Sequence, residues 1–142
     1  MKKLIIAMLF TLVFAGSAFA EIVVIDGRVT ADIDPAGWRA GLNNNDNMQL
    51  SSTALGGGFA VINVNPNEDG LTARQAAENH MERREGRELQ PAGEGYIFRA
   101  TQANGRPAVW YVALDGDFIL QIRMMEYNSD MLPVVQTVRV VK

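Results

Sequence analysis

Two dipeptides in the C-terminal half of the chain, Asn104-Gly105 and Asp115-Gly116, constrain the fold more than any other feature of the sequence. Each separates two runs of β-type residues. Asn-Gly and Asp-Gly are the strongest short signals for a β-hairpin because both residues tolerate the positive φ of a tight turn. The pattern therefore predicts a three-strand antiparallel meander over residues 95–103, 106–114 and 117–125.

Two-residue turns at these dipeptides would also fix the register of the meander. They pair Arg99 with Trp110, and Trp110 with Gln121. Arg99, Trp110, Gln121 and Arg123 then share one face, where cationic and amide groups interrupt an apolar surface, while the other face is almost entirely apolar. Trp and Arg are enriched at interaction hot spots, so we predict that these four residues form a partner surface. The alternatives are a covering layer on this face, or arginine stems packed across Trp110.

A helix is predicted over residues 71–85. Thr72 and Gln75 have the spacing of a capping box, and Gly86 supplies a stop signal. At 100° per residue, one face of this helix carries small alanines together with His80 and Arg84, which permits close approach to a sheet. His80 is expected to be a packing residue between helix and sheet.

Short strands are predicted at residues 22–25 and 29–33, joined by Asp26-Gly27, and again at 48–53 and 59–64. The asparagine-rich tract 43–47 is expected to be a loop. Near the C-terminus we expect a short helix from about Asp130 that ends in an extended tip, although the valines of this tail also suit a strand. The elements add up to an α+β fold, with an antiparallel sheet packed against one main helix and a short C-terminal helix.

The order of these elements resembles the PsbP-like fold. The resemblance is carried by Asp34-Pro35-Ala36-Gly37-Trp38 after an early hairpin, the strand Phe59-Ala60-Val61-Ile62, the helix, the meander and the closing segment 132–140. That family is an α/β/α sandwich found in extrinsic photosystem II subunits, a Ran-binding import factor and bacterial exported or chaperone proteins. The resemblance implies a binding or accessory role, and it transfers no active-site residue.

The first twenty residues have the pattern of a secretory signal peptide. Lys2 and Lys3 precede an apolar run over residues 4–15, and Ala18-x-Ala20 is a typical cleavage site. A membrane anchor is the alternative, but the run is shorter than the ~20 residues that cross a bilayer. We expect cleavage after Ala20, a single globular domain over 21–142 with no membrane span, and a periplasmic or secreted location.

The amino-acid composition excludes several kinds of active site and binding partner. The chain has no cysteine and one histidine among its 142 residues, which excludes thiolate chemistry and a His-rich metal cluster. Without Lys2 and Lys3, the formal net charge of −3 becomes −5, so nucleic acid is not an expected partner. Carboxylate pairs such as Asp115 with Asp117 are better explained as turn residues than as a glycosidase pair. No catalytic residue, cofactor site or metal site is predicted.

The sequence therefore predicts an exported soluble accessory protein that binds a protein or assembly partner without catalysis. A periplasmic small-molecule-binding or inhibitor-type module is the alternative. An enzyme is the least favoured class.

Overall fold

A computed structural model describes residues 21–142, so the predicted signal peptide lies outside the described residues. No helix in the described range is long and apolar enough to cross a membrane. The strands and helices, in chain order, are β1 (Glu21–Ile25), β2 (Val29–Ile33), β3 (Trp38–Leu42), β4 (Met48–Ser52), β5 (Phe59–Pro66), α1 (Ala73–Arg83), β6 (Arg87–Ala92), β7 (Gly95–Thr101), β8 (Pro107–Asp115), β9 (Phe118–Met125), α2 (Met131–Val135) and β10 (Arg139–Val140).

The strands form two antiparallel sheets, and the α+β class is confirmed. The main sheet has seven strands in the order β3-β4-β5-β9-β8-β7-β6, and the small sheet has three in the order β1-β2-β10. The predicted meander forms β7, β8 and β9 inside the main sheet. The short C-terminal helix and its extended tip are also confirmed, as α2 and β10.

Two apolar cores lie on opposite faces of the main sheet. The larger core fills the space between that sheet, the small sheet and α2, and includes Val29, Ile62, Ile122 and Met131. The smaller core lies under α1, which contacts β6, β7 and β8. The layer opposite α1 therefore consists mainly of the small β-sheet, with α2 beside it. The sequence pattern predicts strands in this part of the chain, but it does not show that they form a sheet separate from the main one.

Helix α1 begins as predicted. The Gln75 amide donates to the Thr72 hydroxyl at 3.1 Å, and the Gln75 side chain accepts from the Thr72 amide at 2.9 Å. Its C-terminal end differs from the expectation, because the left-handed residue is Glu85, with φ of 54°, rather than Gly86. The Gly86 amide donates to the Met81 carbonyl at 2.8 Å, which closes a Schellman motif.

The first turn of the meander differs from the predicted one. Thr101 pairs with Pro107, and the Gln102 amide donates to the Arg106 carbonyl, so the loop contains Ala103, Asn104 and Gly105. This three-residue loop places Gly105 at a φ of 83°. The register between β7 and β8 differs by one residue from the prediction, so each side chain of β7 lies on the opposite face of the sheet from the predicted one. The predicted pairing of Arg99 with Trp110 is therefore wrong, since Phe98 stands opposite Trp110.

The second turn of the meander is also displaced. Asp115 pairs with Phe118, so the two loop residues are Gly116 and Asp117 rather than Asp115 and Gly116. The register moves by two residues, and Trp110 pairs with Arg123 instead of Gln121. A shift of two residues leaves every side chain on its predicted face, so the predicted assignment of β8 and β9 side chains to the two faces of the sheet is confirmed.

Candidate functional site

The four residues of the predicted partner surface do not lie together on one exposed face. Arg99 projects from the face opposite Trp110 and forms an ion pair with Glu88 at 3.1 Å. Trp110 is only 3% exposed and Gln121 only 8%. The expectation of a single exposed face is wrong, because the one-residue shift in β7 moves Arg99 away and α1 covers Trp110.

Trp110 belongs to an aromatic cluster under α1. The His80 ring is 4.4 Å from the indole ring, edge to face, and Phe98 stacks beside Trp110 at 6.4 Å. The Arg84 guanidinium carbon lies 4.8 Å from the centre of the indole ring, so the cation covers the outer side of the cluster. This matches the alternative in which an arginine packs across Trp110.

His80 is a buried packing residue, as expected from its place on the alanine face. Burial lowers its pKa to about 4, and the charges of Arg84 and Arg83 act in the same direction. The imidazole is therefore neutral at pH 7. A base with so low a pKa is poorly matched to proton transfer near neutrality, which favours a structural role.

Helix α1 covers only part of its face of the main sheet. Beyond it, the same face continues onto β9 and β5, where Gln121 and Arg123 stand in register with Asn63 and Val61. The Asn65 side-chain Nδ2 donates to Gln121 Oε1 at 3.0 Å. A side-chain amide carries two N–H donors and an acceptor oxygen, so each member of this pair keeps further hydrogen-bonding capacity.

Two clefts lie between α1 and the part of this face to which β9 contributes. The amide cleft, of about 630 Å³, is lined by Asn65, Asn79, His80 and Gln121 among others. The arginine cleft, of about 530 Å³, is lined by Gln102, Trp110 and Arg123 among others. Arg83 and Arg84 line both clefts, so the two adjoin at the C-terminal end of α1.

Arginines are concentrated where the clefts meet. Six ion pairs occur in residues 21–142, and Arg83, Arg84 and Arg123 belong to none of them. Burial lowers the pKa of the half-buried Arg123, and the charge of Arg84 lowers it further. Within the same range, no group of three or more His, Asp or Glu side chains is placed to hold a metal ion.

Sequence reasoning missed most of the residues of this site. The helical periodicity places Arg84 on the packing face with His80, which is a usable signal for an arginine over Trp110. Arg83, Asn65 and Asn79 carried no such signal, because their proximity to β9 depends on where α1 crosses the sheet. Of the four predicted residues, Trp110, Gln121 and Arg123 line these clefts, and Arg99 does not.

Comparison with known proteins adds no family to this description. No protein-family model matches the sequence, and no significant match to it was found among curated proteins.

Proposed function

We propose that this chain is an exported accessory protein of PsbP-like fold that binds a protein partner without catalysis, through the amide cleft and the arginine cleft. The observation that carries the proposal is the pair of adjoining clefts beside α1, in which amide and arginine side chains are prominent in the lining. The order of early hairpin, helix, meander and short closing helix supports the family assignment. The signal pattern of residues 1–20 supports export to the periplasm or beyond.

The amide cleft has the chemistry of a site for a polypeptide backbone. Asn65, Asn79 and Gln121 each present a group chemically equivalent to a peptide bond, with both donors and an acceptor. An extended segment of a partner can exchange paired hydrogen bonds with such groups. The neutral His80 beside them supports binding rather than proton transfer, because its pKa of about 4 is far below neutrality.

A small-molecule-binding module is the second candidate, and the cleft volumes favour it. About 630 Å³ and about 530 Å³ both lie within the usual range of ligand pockets. Such pockets are mostly apolar, however, whereas the amide cleft is lined largely by amide and charged side chains. This difference in lining is why we place a protein partner first.

Site-specific photo-crosslinking tests the proposal. A photoreactive phenylalanine analogue at Asn79, inside the amide cleft, is compared with the same analogue at Glu78, which pairs with Arg74 outside it. In a cell-envelope extract of the source organism, we expect a discrete protein adduct from position 79 and none from position 78. Identical adduct patterns from both positions, or an adduct of small-molecule mass only, would contradict a protein partner at this site.

Export is tested separately by mass spectrometry of the protein from its native host. We expect a mature N-terminus at Glu21. A chain that retains Met1 or Lys2 would contradict cleavage after Ala20.

A further inference from the structure

We propose that the partner segment is acidic, and that Arg83, Arg84 and Arg123 bind its carboxylates where the two clefts meet. This inference rests on the proposed function, since it specifies the chemistry of the partner at the same site. It goes further by naming the charged groups that would be recognised and the residues that recognise them.

The first step is the imbalance of charge around these arginines. Residues 21–142 have a net charge of −5 once Lys2 and Lys3 are removed from the formal −3 of the whole chain. Acidic side chains are therefore abundant, yet within this range none forms an ion pair with Arg83, Arg84 or Arg123. Like charges that converge in a cleft repel one another, and a bound carboxylate relieves that repulsion.

The second step concerns hydrogen-bond donors that have no acceptor. Arg123 Nε is buried and has no hydrogen-bond partner in the described structure, and the same is true of His80 Nε2. Arg83 approaches His80 Nδ1 at 3.4 Å, and an arginine can only donate. A neutral His80 ring that accepts from Arg83 carries its proton on Nε2, and in that tautomer both unpartnered atoms are donors. These two atoms are buried, and the exposed guanidinium groups of Arg83 and Arg84 supply accessible donors beside them, so the site favours a ligand rich in acceptors.

The third step is the shape and charge of the surrounding surface. The clefts adjoin at Arg83 and Arg84, and this continuity suits an extended chain better than a compact anion. Asp69 lines the amide cleft and Glu85 lines the arginine cleft. A segment would place its acidic groups beside the arginines and neutral residues beside Asp69 and Glu85, which fixes its position along the clefts.

The test uses fluorescence anisotropy of labelled synthetic peptides with the mature protein. One peptide alternates Glu and Ser, its neutral counterpart alternates Gln and Ser, and inorganic phosphate is the competing small anion. We expect the Glu peptide to bind more tightly than the Gln peptide. Arg84→Gln and Arg123→Gln should each weaken binding of the Glu peptide about tenfold, because each removes a hydrogen bond to a charged group.

Arg74→Gln is the matched control. It removes the same charge from the same helix, but Arg74 is exposed, pairs with Glu78 and lines neither cleft. We expect it to change binding less than about twofold. Since Arg84 is also exposed, Arg84→Gln should fold even where Arg123→Gln disturbs the sheet.

Three results would overturn the inference. These are equal binding of the Glu and Gln peptides, equal weakening by Arg74→Gln and Arg84→Gln, or saturation of the site by phosphate with no affinity for either peptide. If the Gln peptide binds as well as the Glu peptide and position 79 still crosslinks to a protein, the proposed function stands and only the acidic specificity fails. An adduct pattern at position 79 that is identical to that at position 78, or an adduct of small-molecule mass only, is the separate result that contradicts the proposed function.

Discussion

Arg84 lies across the indole ring of Trp110, with its guanidinium carbon 4.8 Å from the ring centre. The contact joins the C-cap residue of α1 to strand β8 of the main sheet, so one arginine both covers the aromatic cluster and lines both clefts. Arg84 therefore contributes both to the stability of the fold and to the proposed binding site, and different substitutions can measure the two contributions separately.

Trp110→Ala should lower the free energy of unfolding by about 3–5 kcal/mol, because it leaves a cavity beneath α1 between His80 and Phe98. Arg84→Met keeps much of the aliphatic stem and removes the cation, and should cost only about 0.5–1 kcal/mol. Urea unfolding followed by circular dichroism measures both. A Trp110→Ala cost no greater than that of Arg84→Met would contradict the burial of the ring.

Gly86→Ala should lower stability by about 1–3 kcal/mol. An added Cβ would lie 2.6 Å from the Phe98 ring and 2.9 Å from the Arg99 carbonyl oxygen, so strand and helix end would have to separate. Gly41→Ala is the control, since nothing lies within 4 Å of a Cβ at that position and its φ is not positive. Thermal unfolding of the two variants should shift the midpoint for Gly86→Ala alone.

Glu85→Gly should raise the free energy of unfolding by up to about 1 kcal/mol. Glu85 has a φ of 54°, a left-handed conformation that costs a residue with a Cβ about 1–2 kcal/mol. Glycine avoids this cost, but it recovers only part of it as stability, because glycine loses more conformational entropy on folding. The same change at Glu82, inside α1, should instead lower stability by about 1 kcal/mol. Chemical denaturation compares the two, and destabilisation by both would contradict strain at Glu85.

The stability of the fold should decrease as the pH falls from about 6.5 to about 4. His80 is the only imidazole, and its pKa is lowered from 6.5 to about 4, so the unfolded chain binds a proton across this window while the folded chain does not. The loss should be on the order of 3 kcal/mol and complete near pH 4. The effect disappears above about pH 7.5, where His80 is neutral in both the folded and the unfolded chain.

An NMR titration of the single imidazole measures this pKa directly. His80→Gln should flatten the dependence of stability on pH between 6.5 and 4. A midpoint near 6.5 for the folded protein, or an unchanged pH profile in the variant, would contradict the buried neutral state of His80.

The turn dipeptides predicted the meander but not its register. Asn-Gly fits a two-residue turn, and it also fits a three-residue loop with Gly105 in the left-handed position. The choice between them depends on tertiary packing, because only the longer loop places Phe98 beside Trp110 under α1. A single residue of loop length thus decided whether Arg99 belonged to the predicted surface.

Strands β3 and β6 could not be predicted from the sequence pattern, for a different reason in each case. Strand β3 reads Trp-Arg-Ala-Gly-Leu and is mostly exposed, so it lacks a clear apolar alternation. Strand β6 contains Pro91, and its pairing is irregular around Glu88, which has a φ of 63°. Both are edge strands of the main sheet, where packing constrains the sequence least.

The alternation of side chains along β5 and β9 has a consequence for how this protein can change over evolutionary time. Ile62 and Ile122 point into the larger core, while their neighbours Asn63 and Gln121 point to the opposite, cleft-bearing face. Substitutions at the outward positions can therefore alter which segments are recognised without changing the apolar packing. The same two strands can diverge in specificity while the architecture that supports them is retained.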